Sequence, residues 1–233
     1  MELAFIFAAV YVPYILYIIV VSLLQIARGE KKPGVLLGIA EVIFTVIGPA
    51  IGFWRFDQYG HDIPFAKPEA ISIMLLTATS SAAFWLAKLT EPTNNPVVRI
   101  IISAGMLQVM LVCVLTSIHF ITFIPLGIMF PWAGFELLSP LLAFFLLFRE
   151  FYFYNRRVLD MEELLPYHKE LGFVPLPHQV FQLPLSQRLV VYTALAVIAI
   201  VLQSGLLYAI GQPIDTVIRA YTHSTGFIFS MYN

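Results

Sequence analysis

The chain has 233 residues, 60% apolar and 12% charged, with a formal net charge of −1 and a mean hydropathy of +0.86. Soluble domains run at about 45–50% apolar and about 25% charged, so too little polar surface is left here for a water-soluble exterior. The near-neutral charge, without Lys/Arg clusters interleaved with aromatics, argues against nucleic acid as a partner. The lone cysteine, Cys113, excludes an intramolecular disulfide and any zinc or iron–sulfur site built on thiolates alone.

Six apolar runs follow one another: 3–26, 33–53, 70–87, 100–118, 121–148 and 189–210. About 20 apolar residues span the hydrocarbon core as a helix, and continuous runs are helical rather than the alternating strands of a barrel. The expected fold is therefore all-α, a polytopic transmembrane bundle of six spans with a proline-broken fifth. The first run opens Met1-Glu2 without a basic region, so it does not read as a cleavable signal. In the second, Gly34/Gly38 and Gly48/Gly52 have the four-residue spacing that lets helix backbones approach. The third carries Ala78, Ser80, Ser81, Ala82 and Ala83, and these two helices are expected to pack tightly, against each other or a partner. The fifth holds Pro125, Pro131 and Pro140; residues 121–131 read as a re-entrant or interfacial piece, with the helix proper from about Pro131.

The 149–188 segment extends the fifth helix with an aromatic belt and basic anchors. Within it, Asp160-Met161-Glu162-Glu163 has the spacing of a helix start, and Pro175, Pro177 and Pro184 predict an extended stretch before the last span. Residues 211–233 mix apolar and polar side chains and read as an interfacial tail. Six spans divide the 13 basic residues three to ten. Cytoplasmic loops collect Lys and Arg, which puts both termini outside and 149–188 in the cytoplasm of an inner membrane.

Two acids lie inside apolar runs. Glu41 is ~12 Å and Glu136 ~18 Å from the cytoplasmic ends of their helices, at 1.5 Å per residue. An intramembrane carboxylate must be neutral, paired or wet. One reading makes both acids part of a proton or cation relay; another makes them structural, with Lys88 and Arg99 as cationic partners for Glu41. Pro140 removes the backbone bond to the Glu136 carbonyl, so that turn should face protein or water. Gln108 and Gln203 are placed to hydrogen-bond across helices. On the predicted outer side, His61, His119 and His223 are weak metal candidates, since none shares a helical ligand spacing with another.

Hydrolase, metalloprotease, phosphate-loop and dithiol motifs are absent, which leans against an enzyme and leaves a membrane enzyme acting on lipid or quinone as a third reading. No cofactor is expected beyond bound lipid. The sequence reads as a non-catalytic integral membrane subunit, or accessory or scaffold protein, of a larger inner-membrane complex, with lipids and other membrane subunits as partners. The alternative is a small proton- or ion-coupled transporter or channel using Glu41 and Glu136.

Overall fold

The structure, a computed structural model, describes residues 2–47, 82–89, 91–123, 132–164 and 176–209. Among them there is no strand. Helix α1 (Glu2–Arg28) runs through Pro13. It ends where Gly29 adopts φ +66°, with Gly29 N–H on the Ile26 carbonyl at 3.0 Å and Glu30 N–H on the Gln25 carbonyl at 3.2 Å. That pairing satisfies carbonyls left over at a helix end and needs a left-handed residue, which glycine supplies without strain. Helix α2 (Val35–Val42) passes directly into a π-helical turn, Ile43–Ile47. Helix α3 covers 82–89.

Helix α4 (Pro96–Phe123) starts at Asn95, whose side chain accepts the Val97 N–H at 3.0 Å, with Pro96 at the first helical position. It takes in 121–123, so this part of the expected re-entrant piece is instead the end of the fourth helix; residues 124–131 lie outside the described ones. Helix α5 (Trp132–Glu163) is 32 residues long. It begins one residue after Pro131 and runs unbroken through Pro140, because a long helix retains its other hydrogen bonds when proline removes one. The expected helix start at Asp160–Glu163 is instead its last turn, since no breaker interrupts the helix before Pro166. The expected extended stretch contains helix α6 (Leu176–Gln182), in which Pro177 sits in the first turn, where its missing N–H costs nothing. Helix α7 (Leu185–Ala209) follows Pro184, whose carbonyl accepts the Arg188 N–H at 3.0 Å.

Helix α5 is the spine. Leu142 and Leu146 on one face close a small core with Ile15 and Ile18 of α1 and Leu37 and Ala40 of α2. The face carrying Leu147, Phe151, Tyr154 and Val158 closes a larger core with Ala83, Phe84 and Ala87 of α3 and Met106, Met110 and Cys113 of α4. These positions recur at three and four residues, so one helix buries two adjoining stripes. Helix α7 packs along α4, and its Tyr192 meets Phe151 of α5 edge-on, ring centres 6.1 Å apart.

The small residues of the second and third runs are described only in part. A Cβ on Gly38 would meet nothing within 4 Å, whereas one on Gly105 would come 3.3 Å from Ala83 Cβ. The close approach is thus between α3 and α4. Gly48, Gly52 and 78–81 lie outside the described residues.

Large apolar side chains cover the outer faces of α1 (Leu16, Val20, Leu24), α2 (Val35, Leu36, Ile39) and α7 (Val197, Val201, Leu202). Among the described residues one helix is long and apolar enough to cross a membrane, at Leu185–Gln203, and only 17% of that stretch is buried. A core helix of a soluble protein would be mostly covered.

Two glycine substitutions separate these environments. Gly38→Ala should raise stability by about 0.5–1 kcal/mol, the backbone-entropy gain of alanine in an open helical site. Gly105→Leu should lower it by roughly 1–3 kcal/mol by forcing α3 from α4. Thermal unfolding in detergent reads both, and equal effects would contradict the packing described.

A buried charge cluster as the candidate functional site

Glu41 is buried at the end of α2, facing α5 and α3. Its carboxylate forms an ion pair with the Lys88 ammonium of α3, and Oε1 accepts the Arg149 Nη1–H of α5 at 3.1 Å. Arg149 Nε donates to Gln25 Oε1 of α1 at 2.9 Å, and Gln25 Nε2 donates to the Lys32 carbonyl at 3.0 Å. One carboxylate therefore ties four elements together. The π-helical turn completes the site: Thr45 donates its hydroxyl to the Glu41 carbonyl and accepts the Trp85 indole N–H at 3.0 Å. Such turns insert one extra residue into the helix and re-aim side chains. The Lys88 ammonium also lies 5.2 Å from the Trp85 ring centre, an attraction that does not need a carboxylate.

A second acid, Glu150, is fully buried beside this group. Lys31 of the α1–α2 loop lies 2.6 Å from it and Arg157 lies 3.5 Å away. Arg157 also donates to the Ala87 carbonyl, and Arg156 to the Gly29 carbonyl at 2.7 Å, so the α5 extension clasps the ends of α1 and α3. Burial pushes the Lys31 ammonium below its ordinary range, Glu150 pulls it back up, and Arg149 and Arg157 add to the lowering. Burial lowers the Arg149 guanidinium in the same way, against the pull of Glu150.

The third acid, Glu162 near the end of α5, lies 2.5 Å from Arg99 Nη2 of α4 and 3.0 Å from His178 Nδ1 of α6. The expectation that Arg99 partners Glu41 is thus corrected. Arg99 stands in the first turns of α4, level with the far end of α5, and Arg149 takes the place beside Glu41. Gln108 Nε2 of α4 donates to Gln203 Oε1 of α7 at 2.8 Å, which fastens these helices through a polar bond in an apolar setting.

The other sequence candidates are not brought into this cluster. Glu136 lies in the first turns of α5 and His119 near the end of α4; the side chains of both, and residues His61 and His223, lie outside the described ones. Among the described residues no group of three or more His, Cys, Asp and Glu is arranged to hold a metal ion. Sequence reasoning missed Arg149, Glu150, Glu162 and His178 as site residues. The available signal was two charges, Arg149 and Glu150, closing an apolar run on the side that also collects Arg28, Lys31, Lys32 and Lys88.

The chemistry of this arrangement is charge compensation. Glu41→Gln leaves Lys88 and Arg149 without their carboxylate; it should cost about 3–5 kcal/mol, the usual penalty for stranding a buried charge, while Glu41→Asp should cost less. Chemical or thermal unfolding measures both. Lys31 gives a pH signature. Its folded pKa lies below the unfolded value, so in the window between them the unfolded chain holds more protons and stability rises with pH. That rise should shrink in Lys31→Met, as read from unfolding midpoints as pH approaches the ordinary lysine pKa of about 10.4 from below. Comparison with protein-family models, curated proteins and solved structures finds no match to this chain.

Proposed function

We propose that this chain is a six-span inner-membrane protein that acts as a non-catalytic, accessory or scaffolding subunit of a larger membrane assembly. The observation that carries this reading is the engagement of Glu41. An acid that relays protons or cations must exchange them with water or a neighbouring carrier. Glu41 is instead buried between Lys88 and Arg149, where it holds four elements in register.

Two further features support it. Charged groups lie inside, among them Glu41, Arg99, Arg149 and Glu150, while large apolar side chains cover the outside of α1, α2 and α7. That inversion suits a surface covered by lipid tails and by other apolar helices. The paired residues Lys31, Lys88 and Arg149 all come from segments that the charge bias assigns to the cytoplasmic side, which favours the six-span arrangement with both termini outside.

Gentle purification from native membranes, followed by mass analysis, tests the proposal. Fixed membrane-protein partners at constant ratio are expected, and Glu41→Gln should reduce their recovery together with that of the chain itself. A clean monomer or homo-oligomer overturns the subunit reading. So does a cation- or proton-dependent flux in reconstituted vesicles that Glu41→Gln or Glu136→Gln abolishes while the bundle stays intact; that result favours a transporter.

A further inference from the structure

At the end of the bundle beyond the Glu41 cluster, helices α4, α5 and α7 bury more positive hydrogen-bond donors than the described residues satisfy. Arg99 is 0% exposed. Its Nη2 lies 2.5 Å from Glu162, yet Nε and Nη1 have no hydrogen-bond partner. Arg188, in the first turn of α7, is 8% exposed, and its buried Nε has none; it forms no ion pair among the described residues. The Tyr154 hydroxyl of α5 is buried without a partner as well, as is Arg157 Nε. These groups belong to one neighbourhood. The Tyr192 hydroxyl of α7, beside Ser103, lies within electrostatic reach of both Arg188 and Arg99, and the Tyr154 hydroxyl within reach of Arg99, Arg157 and Tyr192. The face of Phe181 closes over the Arg99 guanidinium, 4.9 Å from its centre.

An unsatisfied donor in such a place costs about 1–3 kcal/mol, more when it is charged. Several together are the signature of a missing acceptor. The acids nearby are already engaged: Glu162 by Arg99 and His178, Glu150 by Lys31 and Arg157. A tetrahedral oxyanion presents several acceptor oxygens at once and suits guanidinium donors. Burial holds the Tyr154 phenol up at about 12, against the opposing pull of Arg99 and Arg157, so at neutral pH it keeps its proton and donates a hydrogen bond rather than repelling an anion.

We propose that Arg99, Arg188 and Tyr154 form a binding site for a phosphate group at the cytoplasmic end of α4, α5 and α7, with Tyr192 and Arg157 at its margin. The phosphate belongs to an anionic lipid headgroup or to a free phosphate compound, and the chemistry of recognition is the same for both. The site does not depend on a subunit role, since none of its donors contacts Glu41, but its cytoplasmic placement rests on the six-span reading above.

The test is thermal unfolding of the purified full chain in phosphate-free buffer. One arm titrates phosphatidylglycerol into zwitterionic micelles; the other titrates inorganic phosphate, with sulfate-free chloride at equal ionic strength as the control. A ligand that binds only the folded state raises the midpoint as its concentration passes Kd. A rise in the lipid arm alone identifies a headgroup site, and a rise with inorganic phosphate identifies a free-phosphate site. Arg188→Gln should weaken the apparent affinity by about tenfold and Arg188→Lys by less, the difference expected for a charged bond. Tyr154→Phe keeps the ring packing and removes only the hydroxyl. It should raise the midpoint without ligand, by deleting an unsatisfied group, and weaken the response to ligand several-fold. No midpoint rise in either arm, or a rise undiminished in both Arg188→Gln and Tyr154→Phe, overturns the proposal.

Discussion

The structure depends on the burial of one carboxylate. Glu41 is taken out of solvent at the end of α2, and a lone carboxylate there would cost several kcal/mol. The cost is offset by Lys88 and Arg149, and Arg149 is oriented in turn by Gln25. Each partner comes from a different element, so α1, α2, α3 and α5 can exchange their packing arrangement only by breaking the ion pairs. Apolar packing between helices is tolerant of sliding and rotation. A buried charge with two directed partners is not, and it selects one arrangement among many of similar apolar contact.

Glu150 and Glu162 extend the same logic along α5. Glu41, Glu150 and Glu162 each meet two basic side chains, and α5 carries Glu150 and Glu162 as well as the Arg149 that serves Glu41. The helix thus has two kinds of surface. Its middle turns bury Leu142, Leu146, Leu147 and Phe151 in two apolar cores, and its later turns gather the polar groups of α1, α3, α4 and α6. The π-helical turn after Glu41 belongs to this division too, since it places Thr45 between the Glu41 carbonyl and the Trp85 indole.

The buried charges are not evenly balanced. Around Glu41 and Glu150, four basic side chains share two carboxylates, each carboxylate is engaged by two of them, and the result is a clamp. Around Arg99 and Arg188 the donors outnumber the acceptors, and the residual positive character lies where α7 begins its apolar course. One layer of the molecule therefore holds a satisfied network next to an unsatisfied one, with Tyr154 and Arg157 at the boundary. Large apolar side chains on α1, α2 and α7 are exposed among the described residues.

Much of the helical skeleton was legible in sequence because apolar run length and the helical period are local properties. The start of α5 next to Pro131, its extension beyond the apolar run, and the reach of Gln108 and Gln203 across helices all come from local chemistry. Boundaries went astray where a local signal was overridden. The Asp160–Glu163 pattern starts a helix only if the chain is not already helical, and Pro177 breaks one only past the first turn. Pairing was beyond the sequence. Glu41 and Lys88 are 47 residues apart, and Glu41 and Arg149 are 108 apart; which cation reaches which acid depends on how α3, α4 and α5 cross, not on any spacing along the chain. That apolar helices dominate and that the acids within them need compensation follows from composition and solvation alone. That Arg149 rather than Arg99 compensates Glu41 is a matter of distance in three dimensions, set by how the folded helices cross.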